Sequence, residues 1–335
     1  NGKFTGSISK FATNLNVQTD MGAAKVNAAM GGSSKNPSYK AIVDLKQFNV
    51  GRLLKRTDIG TVSLFLDVAG TGTSAQTANA AVKGMIYNAY YNKYNYRNIK
   101  LDGKYAKQAL QLQASSPDSN AHFDITTNVN IAGKYPSLKG TVDLKNIDLQ
   151  KLNFASSEFK IAGLATLDFP TVDPDYLNGI ANISSLQVAM DGRVINLDTI
   201  YLNALSTATE NNLTLKSDLI NVDLSGKYQL TQIGQAFTNE IHKYYAFAPE
   251  KKTGPQKMRF NVTIHDSKLL KEFVPSLYTF APSYLNGVLD TEADSLVVNA
   301  NFPHIVYDSF DVKNTTLNIS NLNDSSKLTY ALDIK

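Results

Sequence analysis

The chain contains no cysteine, so disulfides, thiolate nucleophiles and zinc sites built on thiolates are excluded. Histidine is scarce. His122, His242, His265 and His304 are scattered, and none forms a pair at metal-ligand spacing. No apolar run approaches the roughly 18 residues of a membrane helix, and no signal peptide is visible. Charge is thin at 19% of residues, and the net +4 is spread along the chain. Without a Lys/Arg stripe of the kind that neutralises phosphates, nucleic acid is not an expected partner. Catalytic vocabulary is missing too. Gly70-Thr71-Gly72-Thr73 lacks the lysine and following helix of a phosphate loop. Asp173-Pro174-Asp175 lacks the further oxygen ligands of a calcium loop. No nucleophile–base constellation stands out, so the reading is of a non-enzyme without metal or cofactor.

What the sequence does have is alternation. Of its 335 residues 43% are hydrophobic, enough for a folded chain, while Asn, Ser and Thr supply polarity in place of charge. Val62, Leu64, Leu66 and Val68 alternate with Ser63, Phe65, Asp67 and Ala69. Phe123, Ile125, Val129 and Ile131 share one parity, opposed by Asp124, Thr126, Asn128 and Asn130. The same period of two returns in Val142 and Leu144, in Ile220, Val222 and Leu224, in Phe260, Val262 and Ile264, and in Leu296 and Val298. A period of two puts every second side chain on one face of a strand, so these are half-buried antiparallel strands. The named apolar residues are the candidate lining of a continuous apolar surface. The fold class predicted is all-β, with one or two short helices. Helical spacing of Ile233, Phe237, Ile241, Tyr244 and Tyr245 predicts one over Thr231 to Phe247, and a shorter one is expected from Ser267 to Val274.

Internal repetition is the second signal. IVDLKQFNVGRLL (Ile42 to Leu54) returns as TVDLKNIDLQKLNF (Thr141 to Phe154) and more loosely as NVTIHDSKLLKEF (Asn261 to Phe273). Each copy reads as a strand leaving through a polar turn into one helical turn with two leucines. PDYLNGI (Pro174 to Ile180) and PSYLNGV (Pro282 to Val288) follow the second and third copies, and their Asn-Gly reads as a recurring turn that launches a strand. The chain thus divides into loose units of about 38–136, 137–260 (carrying the helix at about 231–247) and 261–335, within one continuous array. In the tyrosine cluster, Tyr94 and Tyr96 lie across a turn at Asn92-Lys93 from Tyr90 and Tyr91, which reads as an aromatic hairpin. A stacking platform for sugars is the other use of such a cluster.

The order from Tyr91 to Ile131 (tyrosines, a strand through Leu101-Asp102-Gly103, a Ser-Pro-Asp turn, then a long alternating strand) carries a resemblance. With VDLKNIDLQKL after it and FPHIVYDSFDVKNTTLNI from Phe302 to Ile319, it resembles the TamB family of the translocation and assembly module. The likeness is to the Bacteroidota version, within the AsmA-like group. That resemblance implies an elongated, curled antiparallel sheet, a β-taco whose open groove is lined by apolar residues. It implies a segment in the periplasm of a protein anchored to the inner membrane by a part not included here. The function implied is to hold or conduct phospholipid acyl chains between the two membranes in support of outer-membrane biogenesis. The alternative is a chaperone-like module that engages outer-membrane β-barrel proteins through strand edges. An Omp85-type outer-membrane assembly protein is the implied partner, reached through a region outside this chain. Beginning on Asn1 and stopping on the strand-like LTYALDIK, the chain reads as a fragment. Taken alone, the alternating pattern fits a closed sandwich as well as a groove.

Overall fold

The computed structural model describes every residue except 8, 248, 250, 267–269, 272–273, 323–325 and 335. It is all-β, as the alternation predicts: 21 strands belong to one unclosed sheet, and every described pairing is antiparallel. Two compact units divide the chain. The first takes Asn1–Thr166 with Leu186–Val194, and the second takes Leu167–Ser185 with Ile195–Lys335.

The first unit is a meander in which each strand pairs with the next. Its strands are β1 (Gly2–Ser7), β2 (Lys10–Thr19), β3 (Gly22–Ser33), β4 (Asn36–Asn49), β5 (Ile59–Thr71) and β6 (Asn79–Tyr91). They continue through β7 (Tyr94–Ala106), β8 (Ala109–Asp118), β9 (Ala121–Asn130) and β10 (Ser137–Asp148). Strands β11 (Phe159–Thr171), β12 (Asn178–Met190) and β13 (Arg193–Ser206) share their residues between the units. The second unit continues with β14 (Asn211–Ser217), β15 (Ile220–Lys227), β16 (Lys257–Ile264), β17 (Leu277–Phe280) and β18 (Ser283–Asp290). It ends with β19 (Ser295–Tyr307), β20 (Phe310–Ser320) and β21 (Thr329–Asp333).

The repeated Val-Asp-Leu-Lys word has a shared geometry in its first two copies. Both β4 and β10 carry a register shift just after it, at Leu45/Phe48 and Leu144/Asn146. Each then caps one helical turn with its own side chain. Asn49 Oδ1 accepts from the Arg52 N–H at 2.9 Å, and Asp148 Oδ1 accepts from the Lys151 N–H at 2.9 Å. Both turns close through a left-handed residue, Lys55 at φ 55° and Asn153 at φ 61°. The first is the short helix α1 (Val50–Leu54). In the third copy, the end of the word falls on 267–269 and 272–273, outside the described residues. The predicted helix from Ser267 to Val274 therefore lies largely outside them as well, although Leu270 and Lys271 are helical.

The tyrosine hairpin forms as expected. Asn92 and Lys93 both take positive φ, 48° and 62°, and Tyr91 faces Tyr94 across the turn. The Tyr94 and Tyr96 rings meet edge to face at 4.9 Å.

Two expectations need correction. The helix predicted over Thr231 to Phe247 is shorter: a 3-10 turn at Leu230–Gln232 leads into α2 (Ile233–His242), and the chain then turns out. The Asn-Gly pairs of the PxYLNG words are not turns. Asn178 and Gly179 open β12 after a 3-10 turn at Pro174–Tyr176, whereas Asn286 and Gly287 lie inside β18, opposite Asn299 and Val298. The local propensity of Asn-Gly for tight turns is overridden by pairing with neighbouring strands.

Candidate functional site

The candidate site is the apolar side of the strands. In the first unit the registers align one residue from each of ten strands into a single row. That row is Gly2, Leu15, Val26, Val43, Leu66, Gly84, Leu101, Ala114, Ile125 and Val142. Every member is apolar or glycine. A second row beside it runs Phe4, Thr13, Ala28, Ala41, Val68, Val82, Gly103, Leu112, Thr127 and Gly140. Leu45, Leu64, Ile86 and Ile99 flank them on one side, and Tyr105, Leu110, Val129 and Leu138 on the other.

This face is half-buried without a covering layer of its own. From Val26 to Val142 no member of the central row is fully buried, and none of these eight is fully exposed. Inside a closed sandwich such a row is the core and loses nearly all contact with water. Among its described residues every strand of the unit belongs to the same sheet, β1 to β10 pair in chain order, and α1 packs on β5 with Leu53 and Leu54 exposed. Intermediate burial along the whole row is what side chains on the inner side of a curled sheet have when they shield one another.

The opposite face has the reverse character. Its corresponding row is Lys3, Asn14, Asn27, Ile42, Asp67, Lys83, Asp102, Gln113, Thr126 and Thr141, polar at all positions but Ile42. An open depression of about 430 Å³ lies on this side, lined by Lys83, Lys100, Asp102, Gln113, Asp124 and Thr126 among others. Its Lys83–Asp102 pair stands at 3.5 Å with the lysine largely in water, so it is a solvated surface.

In the second unit three rows cross the apolar face. One runs Leu202, Leu215, Val222, Val262, Leu285, Ala300, Leu317 and Leu332. The next runs Ala204, Leu213, Leu224, Phe260, Gly287, Val298, Ile319 and Tyr330. The third aligns Gly226, Met258, Leu289 and Leu296. Here the face is partly covered. Helix α2 lays Ile233, Ala236, Phe237 and Ile241 on the second and third rows, and Ala236, Leu289 and Leu296 are shut off from water. Phe237 meets Phe260 edge to face at 5.7 Å. The first row stays half-buried except at Ala300, which is buried, and Leu332, which is exposed.

Polar bonds hold α2 at both ends. At its start the Thr231 N–H and hydroxyl donate to the two Asp175 carboxylate oxygens at 3.0 and 2.8 Å, so the first PxYLNG word supplies an anchor. At its end Lys243 Nζ reaches both oxygens of the buried Glu240, at 2.8 and 2.9 Å, and also Asp294. Burial draws the Lys243 ammonium down, but its bonds to Asp294 and Glu240 outweigh that and leave it above the usual lysine value. Asn321 Nδ2 donates to the Tyr244 hydroxyl at 2.9 Å, while Asn321 Oδ1 accepts from the Leu296 N–H at 2.8 Å. Burial beside this core pushes the Tyr228 hydroxyl up to about 12.

Of the residues picked out by alternation, Val62, Leu64, Leu66 and Val68 in β5, Phe123, Ile125 and Val129 in β9, and Val142 and Leu144 in β10 are half-buried on the apolar face. Ile220, Val222, Leu224, Val262, Ile264 and Val298 are likewise half-buried in the second unit. Phe260 and Leu296 are buried beneath α2. Ile131 falls one residue beyond β9 and is 46% exposed. Alternation alone did not single out Leu101, Ala114 or Gly84, although Ile99, Leu101, Gly103 and Tyr105 share one parity; register is what adds them to the row. The tyrosine cluster serves the hairpin. Buried Asp118 accepts from the Tyr94 hydroxyl and from the Asn120 N–H at 2.9 Å, and burial followed by Asp118 raises the Tyr94 hydroxyl above its usual value.

Among the described residues no group of three or more His, Asp or Glu side chains is placed to hold a metal, and no helix is long and apolar enough to cross a membrane. No protein-family model, curated protein or solved structure matches the chain.

Proposed function

We propose that this chain is a non-enzymatic, lipid-holding segment whose apolar strand faces carry phospholipid acyl chains. The observation that carries the proposal is the ten-strand row from Gly2 to Val142, apolar or glycine throughout and half-open to solvent from Val26 on. An apolar surface of that extent left uncovered marks a ligand or partner site. Hydrocarbon is the ligand that suits it, because the row presents no side-chain donor or acceptor for a polar ligand to pair with. In this reading the chain acts as its resemblance to TamB and AsmA-like proteins implies, as a periplasmic part of a bridge between inner and outer membranes in support of outer-membrane biogenesis. The membrane anchor and the contact to an Omp85-type partner belong to regions outside this sequence.

The test is mass spectrometry of the chain purified in mild detergent from an envelope-bearing host. Co-purifying phospholipid, lost when the protein is delipidated and regained from vesicles, is the expected result. Protein free of lipid that instead cross-links through β1 or β21 to strands of outer-membrane proteins would replace this reading with the strand-edge chaperone.

A further inference from the structure

In the second unit the apolar face already has an occupant. We propose that α2 is an autoinhibitory cover: it sits in cis where an acyl chain would lie over Phe260, Leu289 and Leu296, and lipid gains that patch only when the helix is released. The inference rests on the lipid-holding reading and adds regulation to it.

Three observations carry it. First, α2 lies on the same parity of side chains that forms the open rows, so it competes for apolar contacts that hydrocarbon can equally make. Among its described residues the first unit has no counterpart to this helix, and its central row stays half-open from Val26 on. Second, α2 is ten residues long, and its N-cap residue, Gln232, makes no side-chain capping bond. A helix that short is marginal by itself in water, so it persists by docking and is lost when undocked. Third, its docking at the C-terminal end is a polar latch at the rim, with Lys243 bridging Glu240 on the helix to Asp294 in the β18–β19 connection. Lys243 and Asp294 are 40% and 59% exposed, so water can take over their bonds when the latch opens. Past the latch Tyr245 and Phe247 stack on each other at 6.3 Å in solvent and do not extend the cover.

The experiment uses the full chain and a photoactivatable diazirine fatty acid, with labelled peptides mapped by mass spectrometry. Wild type should label strongly on the first unit and weakly on the Phe260–Leu289–Leu296 patch. Lys243→Ala with Asp294→Ala should raise labelling of that patch at least about tenfold, because it leaves the buried Glu240 carboxylate without its cation, and leave the first unit unchanged. A locked form is made by Lys243→Cys with Asp294→Cys joined by a cleavable bismaleimide, in a chain that has no other cysteine. Locking should abolish labelling of the patch, and cleaving the linker should restore it, a comparison within one variant that holds even if the alanine pair folds poorly. Equal patch labelling in wild-type, released and locked protein, with the first unit labelled normally, would overturn the cover while leaving the lipid reading intact. No labelling on either unit would overturn both.

Discussion

A carboxylate placed on the central apolar row should cut acyl-chain capacity in steps. Ten strands at about 4.8 Å spacing make a row about 43 Å long. One acyl chain takes about 15 Å, half of a roughly 30 Å hydrocarbon core, so the row has room for about three chains laid end to end. Leu66 in β5 and Ile125 in β9 stand four strands apart, about 19 Å, and so lie under different chains. Leu66→Asp removes contact worth about two methylenes, about 1.6 kcal/mol at 0.8 kcal/mol each. Setting a carboxylate against hydrocarbon adds at least about 1–3 kcal/mol. A total of about 3 kcal/mol weakens the chain over that residue roughly a hundredfold. Titration with a fluorescent fatty acid, with stoichiometry from native mass spectrometry, should show about three chains falling to about two in either single variant and to about one in the double. Thr126→Asp is the control, one residue from Ile125 but on the polar face, and it should change nothing. If the double variant stays folded and keeps full capacity, acyl chains do not lie along this row.

Two further outcomes test the packing on which these readings depend. Leu289 is fully buried beneath α2, so Leu289→Ala should cost about 2–5 kcal/mol in urea unfolding, and a loss below about 1 kcal/mol would mean α2 is not docked there. Asp290 is held below the ordinary carboxylate value first by its hydrogen bond from Lys257, against the opposing pull of burial, with the Ala293 and Glu292 N–H groups assisting. Because its folded value is depressed, its stabilisation is intact above about pH 4 and fades as pH falls through that lower value. Asp290→Asn should therefore flatten this part of the acid-unfolding curve, and an unchanged curve would refute the assignment.

The strands were legible because their signal is local. Leu64, Leu66 and Val68 alternate with polar residues whatever the rest of the chain does, and the capped turns after Val-Asp-Leu-Lys are written within a dozen residues. Register is not local. That Leu66 faces Val43 on one side and Gly84 on the other depends on bulges at Leu45/Phe48 and Ser63/Leu64, which no spacing announces. The extent of α2 was misread for a related reason. Tyr244 and Tyr245 fit helical spacing, but Tyr244 is drawn to Asn321, 77 residues on, and the helix stops at His242. Alternation did not reveal openness, since an alternating strand looks the same in a sandwich and in an uncovered sheet, and the open groove was expected from the repetition and the resemblance instead.

The PxYLNG words show how a repeated phrase can carry one physical requirement in two different local structures. Asn178 bonds the Ser206 N–H at 2.7 Å near the start of β12, while Asn286 pairs with Asn299 in mid-strand, so the asparagines share no role. The glycines do. A Cβ on Gly179 would stand 2.2 Å from the Asp168 carbonyl oxygen and one on Gly287 2.0 Å from the Val297 carbonyl oxygen, with Phe169 Cδ1 and Phe260 Cζ also too close at 2.8 and 2.6 Å. Each glycine therefore admits the close approach of another strand's backbone carbonyl and, beside it, a phenylalanine ring. At Gly287 this has a consequence for the site. Phe260 lies across its strand neighbour and presents its ring to Phe237, so the glycine forms part of the seat of α2. In PSYLNGV, what reads in sequence as a turn signal is a mid-strand glycine that leaves room for the Val297 carbonyl and for the Phe260 ring on which the helix docks.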